Sequence, residues 1–101
     1  MNTLGELLRR LREEKRLLLR EVAAGLAMDT GLLSKFERND RKPNKAQIIA
    51  FAKFYQISAD ELLVAWLSDK IALDIQNEDL AKQALKEAEK KVDMLKKKNS
   101  K

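Results

Sequence analysis

Residues 19–38 read LREVAAGLAMDTGLLSKFER and decide the fold of this chain. Apolar residues recur at helical spacing over the first part of the stretch and again over its last part. Asp29 lies between the two parts and is a good N-cap. The stretch therefore predicts a short helix ending near Ala27, a tight turn, and a second short helix over about residues 30–38.

Four further helices are predicted outside this stretch from N-caps and apolar spacing. They run from Thr3 to Arg16, from Lys45 to Tyr55, from Ser58 to about Asp74 and from Asn77 to Leu95, and their N-caps are Thr3, Asn44, Ser58 and Asn77. The alternation of residues 71, 73 and 75 with polar residues is also compatible with a short strand, but we favour helix. Residues 39–44 (NDRKPN) predict an exposed basic loop, and the tail from Lys96 to Lys101 is expected to fray.

The composition favours an all-α protein. The chain has 101 residues, of which 45% are hydrophobic and 37% charged, with 3 Gly and 1 Pro. This length supports one modest core. We therefore expect one five-helix domain with an additional C-terminal helix.

Charge is divided unevenly along the chain. Residues 1–56 hold twelve Lys or Arg against seven Asp or Glu, whereas residues 57–101 hold nine of each, so the net charge of +5 lies in the first half. Every Arg also lies in that half. Because the planar guanidinium suits phosphates and guanine edges, the first half is the better candidate for binding nucleic acid.

Several classes of function are disfavoured by residues that the chain lacks. It has no Cys and no His, which leaves no thiolate nucleophile, no imidazole base and no ordinary zinc site. No Gly-rich phosphate loop and no long apolar run stand out. We expect no enzyme activity, no cofactor, no metal and no membrane association, and a cytoplasmic location.

Residues 4–63 resemble the Xre-type, phage-repressor-like helix-turn-helix family. The resemblance rests on the order and spacing of five features: LREEK at 11–15, Ala23 within the second helix, LSKFER at 33–38, RKP at 41–43 and SADELL at 58–63. It implies a five-helix domain whose third helix enters the major groove of double-stranded DNA. Members usually act as homodimers on an inverted repeat.

The resemblance also implies roles for particular residues. The positions that read bases or face the backbone from the third helix are Thr30, Gly31, Ser34, Lys35 and Arg38. The phosphate-contacting positions are Arg20, Arg41, Lys42 and Lys45. The basic residues Arg9, Arg10 and Arg12 of the first helix are expected to form an ordinary solvated face.

This sequence departs from the family pattern at the second helix and the turn. Leu18 and Leu19 stand where a polar cap and a Gln are usual, so Arg20 takes over the phosphate contact in this interpretation. Ala27 stands where a Gly is usual, which predicts a different turn or a longer second helix. Gly31 within the reading helix costs about 1 kcal/mol relative to Ala and allows the backbone to approach DNA closely.

The C-terminal part is interpreted without the resemblance. Ala81, Leu85, Ala88, Val92 and Leu95 are spaced four, three, four and three residues apart, which is a short heptad-like seam. We expect residues 1–67 to be the DNA-binding domain and residues 68–101 to be a dimerisation element. The expected dimer interface comprises Trp66, Leu85, Ala88 and Val92, and the last helix is also a possible site for a protein partner.

The sequence thus predicts a sequence-specific DNA-binding transcriptional regulator that represses or regulates itself as a homodimer. Two alternatives of the same class are a controller of a restriction-modification operon and an antitoxin-type autorepressor. A protein-interaction module that does not bind DNA is the alternative from a different class.

Overall fold

The computed structural model describes residues 3–99, and all the regular structure in this part of the chain is helical. The six helices are α1 (Leu4–Glu14), α2 (Leu19–Gly25), α3 (Thr30–Glu37), α4 (Lys45–Tyr55), α5 (Ala59–Ile75) and α6 (Ala81–Asn99). The predicted all-α class, with five helices followed by one more, is therefore confirmed. Residues 71–75 are helical, so the strand considered for them is not formed.

The chain divides into two compact units, residues 1–70 and 71–101. The first unit holds the hydrophobic core, to which each of α1 to α5 contributes. Its largest fully buried side chains are Tyr55, Phe51, Leu8, Leu33, Ile48, Leu62 and Val22. In the second unit α6 has no buried residue, and Leu85, Val92, Met94 and Leu95 are all exposed.

The start of α1 and the end of α3 are joined by hydrogen bonds around Asn39. The Gly5 backbone N–H donates to Asn39 Oδ1 at 3.0 Å, and Asn39 Nδ2 donates to the Thr3 hydroxyl at 3.0 Å. Asn39 has a φ of 63°, a left-handed conformation that asparagine tolerates just after a helix. A Cβ on Gly5 would collide with the backbone carbonyl oxygens of Phe36 and Glu37, so glycine permits the close contact between α1 and α3.

The predicted N-caps are present for α1, α3 and α4. Thr3 accepts from the Glu6 N–H, Asp29 from the Leu32 N–H and Asn44 from the Gln47 N–H. At Ser58, the cap predicted for α5, the hydroxyl accepts from the Asp60 N–H at 3.2 Å.

The ends of α6 differ from the prediction. The helix begins at Ala81 and not at Asn77, because the intervening N–H groups close tight turns: Glu78 donates to the Ile75 carbonyl at 3.0 Å and Ala81 to the Glu78 carbonyl at 3.2 Å. The predicted fraying from Lys96 is wrong as far as Asn99, where the helix continues. The remaining two residues of that tail lie outside the described residues.

Candidate nucleic-acid interface

Helices α2 and α3 pack together through their buried faces, and one side of α3 stays exposed at Thr30, Gly31 and Lys35. Val22 and Ala23 of α2 are buried, as are Leu33 and Phe36 of α3. The small side chain predicted in the middle of the supporting helix is thus in the core, where it permits a close crossing. This packing leaves the opposite face of α3 on the molecular surface.

The turn between α2 and α3 contains a left-handed residue. Ala27 has a φ of 51°, a conformation that glycine adopts more readily than alanine. Helix α2 already ends at Gly25, so the longer second helix considered from the sequence is not formed. Ala27 thus adopts a left-handed conformation that would favour glycine at this position. The turn is closed by the Met28 N–H, which donates to the Ala23 carbonyl at 2.8 Å.

The five residues predicted to read bases all lie on α3 or at its end. Thr30, Gly31 and Lys35 are exposed on the helix, Ser34 is half-buried, and Arg38 is the exposed C-cap. Thr30 and Gly31 follow the Asp29 cap directly, so they occupy the first turn of the helix. The structure therefore brings these residues together on one element.

Arg38 is engaged with its own neighbours in the unbound chain. Its Nε lies 3.5 Å from Asp40 Oδ2, and the two side chains are 61% and 57% exposed. The same nitrogen also donates to the Ser34 carbonyl at 3.4 Å. An exposed pair of this kind is worth less than about 1 kcal/mol, so it competes weakly with an anion such as phosphate.

The four residues predicted to contact phosphates are all exposed, and they come from three elements. Arg20 is the second residue of α2, Arg41 and Lys42 lie in the loop before α4, and Lys45 is the first residue of α4.

The loop that carries Arg41 and Lys42 is anchored by the residue that follows them. Residues 39–44 are exposed as predicted, except for Pro43, which is buried. Its carbonyl accepts a 2.8 Å hydrogen bond from the indole Nε1 of Trp66 on α5. The Lys70 ammonium lies 3.5 Å from the centre of the Trp66 ring, a cation–π geometry. Trp66 is half-buried, and these contacts are made within its own unit.

Arg12 and Glu37 form an ion pair that the sequence did not predict. Arg12 Nε lies 2.8 Å from Glu37 Oε2, and the two side chains are only 14% and 5% exposed. Arg12 was expected on the solvated face of α1, as were Arg9 and Arg10, which are exposed. The prediction was wrong for Arg12 because its partner lies on α3, far away in sequence.

Tyr55 is a polar residue buried in the hydrophobic core. Its ring is fully buried, and its hydroxyl has no hydrogen-bond partner in the described structure. Burial, reinforced by the negative charge of Glu37, raises the pKa of Tyr55 to about 12. The hydroxyl therefore stays neutral over the ordinary pH range.

A shallow groove of about 380 Å³ runs between the α2–α3 turn and the start of α4. Apolar side chains such as Leu26, Met28 and Leu32 line it together with Asp29 and Asn44.

Within residues 3–99 no cluster of acidic side chains has the arrangement of a metal site. In the same part of the chain, no helix is long and apolar enough to cross a membrane.

The predicted dimer residues of the C-terminal unit all lie on α6. Leu85 and Val92 are 42% and 49% exposed, and Ala88 is exposed as well. They share one side of the helix through their spacing of three and four residues. None of these three residues is buried in the described structure.

A family model described as a helix-turn-helix domain matches residues 3–65. That range begins at the N-cap of α1 and ends within α5. No curated protein and no solved structure matches the chain.

Proposed function

Because this chain belongs to the helix-turn-helix domain family, we propose that it is a sequence-specific regulator of transcription that binds double-stranded DNA through α3. Its finer relationship, in this proposal, is to the Xre-type regulators. The family match covers α1 to α4. It therefore includes α2 and α3, the pair in which we place the reading face. The role is one of binding, without catalysis or a cofactor.

The observation that carries the proposal is the division of α3 into two faces. Leu33 and Phe36 hold the helix to the core, while Thr30, Gly31 and Lys35 are exposed on its other side. A major groove about 12 Å wide accepts one helix whose outward side chains are small, polar or basic. We propose that these three residues, with Ser34 and Arg38, face the bases.

Contacts with the DNA phosphate backbone supply most of the affinity in this proposal. Arg20, Arg41, Lys42 and Lys45 are exposed cations that neutralise phosphates on either side of the reading helix. Trp66 fixes the main chain directly after Lys42 through its bond to Pro43. We therefore assign Trp66 an intramolecular role in holding this loop.

We further propose that residues 1–67 bind DNA and that residues 68–101 bring two copies together through Leu85, Ala88 and Val92. Two reading helices related by a twofold axis require an inverted repeat with half-sites about 10 base pairs apart, or a multiple of that spacing. Such a protein would act in the cytoplasm as a repressor, including of its own gene.

The test is duplex DNA binding measured over a series of salt concentrations, with sites first selected from a random duplex library. We expect affinity to fall steeply with salt and Lys42→Ala to reduce the slope of log K against log salt by about one unit. Lys53→Ala, an exposed lysine near the end of α4, is the matched control and should leave the slope unchanged. DNA binding that does not weaken as salt rises would contradict the proposed phosphate contacts, and absence of DNA binding would contradict the proposal and favour a protein-interaction module.

A further inference from the structure

Helix α6 carries an apolar stripe of which no residue is buried. Ala81, Leu85, Ala88, Val92 and Leu95 follow heptad spacing, and the three large residues are 42%, 49% and 58% exposed. A lone helix of this length is only marginally stable in water. Covering the stripe would therefore stabilise the helix.

We propose that a second copy of this chain covers the stripe, with the two α6 helices antiparallel and residues 81–92 of each overlapping. This inference rests on the proposed homodimer and adds its orientation and register. In this register Leu85 faces Ala88 of the second copy, and Val92 faces Ala81 of the second copy. Leu85 and Val92 then each lie opposite an alanine, which fills the space between the helices evenly, and Leu95 lies just beyond the overlap.

The charges beside the seam favour the same arrangement. Lys82 and Glu89 each directly follow a seam alanine, which is the e position of the heptad. In an antiparallel pair, e positions of the two helices lie beside each other. Lys82 of one copy therefore meets Glu89 of the other, twice by symmetry, and such flanking pairs set the orientation of paired helices.

The other simple pairings bring like charges together. A parallel pair would place Lys91 beside Lys96 of the second copy twice, and it would stack alanine on alanine in two layers. An antiparallel pair shifted by one heptad, with Leu85 opposite Leu95, would place Glu89 against Glu89 and Lys91 against Lys91. Like charges in these positions are destabilising, so both pairings are disfavoured.

The seam is short and buries less area than a standard stable interface of about 1,600 Å². We therefore expect a dimer with a dissociation constant in the micromolar range, which assembles more fully when two DNA half-sites hold the copies together. Tests without DNA need a protein concentration of about 100 μM.

Disulfide cross-linking tests the orientation, because the chain contains no native cysteine. Full-length chains carrying Ala81→Cys or Val92→Cys, one of them with a mass tag, are mixed and oxidised. The antiparallel pair predicts the mixed disulfide. It places the two 81 positions roughly 16 Å apart, well beyond the roughly 7 Å that a disulfide allows between Cα atoms. A majority of 81–81 and 92–92 disulfides, or no cross-link, overturns the proposal.

Charge reversal tests the register by sedimentation. Glu89→Lys should raise the dimer dissociation constant about tenfold, because two attractive pairs become repulsive. The exchange Lys82→Glu with Glu89→Lys should restore it to within about threefold. Lys97→Glu, which lies on the outer side of α6, is the control and should change nothing. A double variant no tighter than Glu89→Lys alone overturns the register.

The same variants, kept reduced, are then assayed for duplex DNA binding. Mixed cross-links without DNA binding would support the α6 pairing and refute the DNA-binding function. Salt-dependent DNA binding without any cross-link would refute the pairing and leave the DNA-binding function standing.

Discussion

Arg12 binds Glu37 through two parallel hydrogen bonds, from Nε to Oε2 at 2.8 Å and from Nη2 to Oε1 at 3.0 Å. Its third nitrogen, Nη1, donates to the Leu17 carbonyl at 3.0 Å. The hydrogen bonds to Glu37 raise the pKa of Arg12 above its already high ordinary value, so the guanidinium is always charged. The pair joins α1 to α3, the helix proposed to read DNA.

Removing one partner of this pair should be costly, because it leaves the other charge largely buried. We expect Arg12→Met to lower the free energy of unfolding by about 3 kcal/mol, measured by urea denaturation. Arg12→Met combined with Glu37→Met should cost clearly less. Arg9→Met is the control: it breaks an exposed pair with Glu13 and should cost under about 1 kcal/mol. Equal losses in the Arg9 and Arg12 variants would contradict this account.

Tyr55 should make the protein less stable at high pH. Its pKa is about 12 in the folded chain and about 10 in an unfolded one, so its contribution is complete below pH 10 and is lost as the pH rises towards 12. At pH 11 this loss amounts to about 1.4 kcal/mol relative to pH 8.

Tyr55→Phe isolates this effect, because it removes the hydroxyl and keeps the ring. At pH 8 the variant should be as stable as the parent or slightly more so, since the buried hydroxyl has no partner. Between pH 8 and pH 11 the difference in unfolding free energy should move by about 1.4 kcal/mol in favour of the variant. A difference that does not change with pH would rule out the shifted titration.

Replacing Ala27 by glycine should stabilise the protein. The left-handed φ of 51° strains alanine, and glycine relieves this strain at some cost in unfolded-state entropy. We expect Ala27→Gly to raise the unfolding free energy by about 0.5 to 1 kcal/mol. Ala24→Gly, an exposed position within α2, should instead lower it by about 1 kcal/mol. Thermal denaturation of the two variants side by side distinguishes them by sign.

Lys35→Ala should separate base reading from general attraction to DNA. If Lys35 contacts base edges, binding to the selected site weakens by about 1 to 3 kcal/mol, whereas binding to a scrambled duplex changes much less. The circular dichroism spectrum should remain that of the parent, because the side chain is exposed. An equal loss of affinity for both duplexes would indicate that Lys35 contacts phosphates and not base edges.

Local sequence signals predicted much of this fold. Helix α4 was predicted from Lys45 to Tyr55 and has those bounds, because its Asn44 cap and its apolar spacing lie within the helix itself. The pairing of Arg12 with Glu37 and the isolation of the Tyr55 hydroxyl were not predictable in this way. They depend on how separate helices pack, which helical spacing alone does not specify.

The candidate site shows the same division. Asp29 and the spacing of Leu33 and Phe36 were sufficient to predict the exposure of Thr30, Gly31 and Lys35, but not the partial burial of Ser34 or the burial of Glu37. The bond from Trp66 to Pro43 was not predictable, because it joins residues 23 positions apart through a backbone carbonyl. Contacts with DNA by individual side chains remain predictions.

Gly5 and Gly25 differ in what surrounds them, which bears on how the sequence can be redesigned. A Cβ on Gly5 would strike backbone carbonyls of α3, whereas a Cβ on Gly25 would strike only the ring of Phe54. A combinatorial library should therefore hold position 5 constant, since no exchange of a neighbouring side chain makes room there. Positions 25 and 54 can be randomised together, with a bulkier residue at one compensated by a smaller residue at the other.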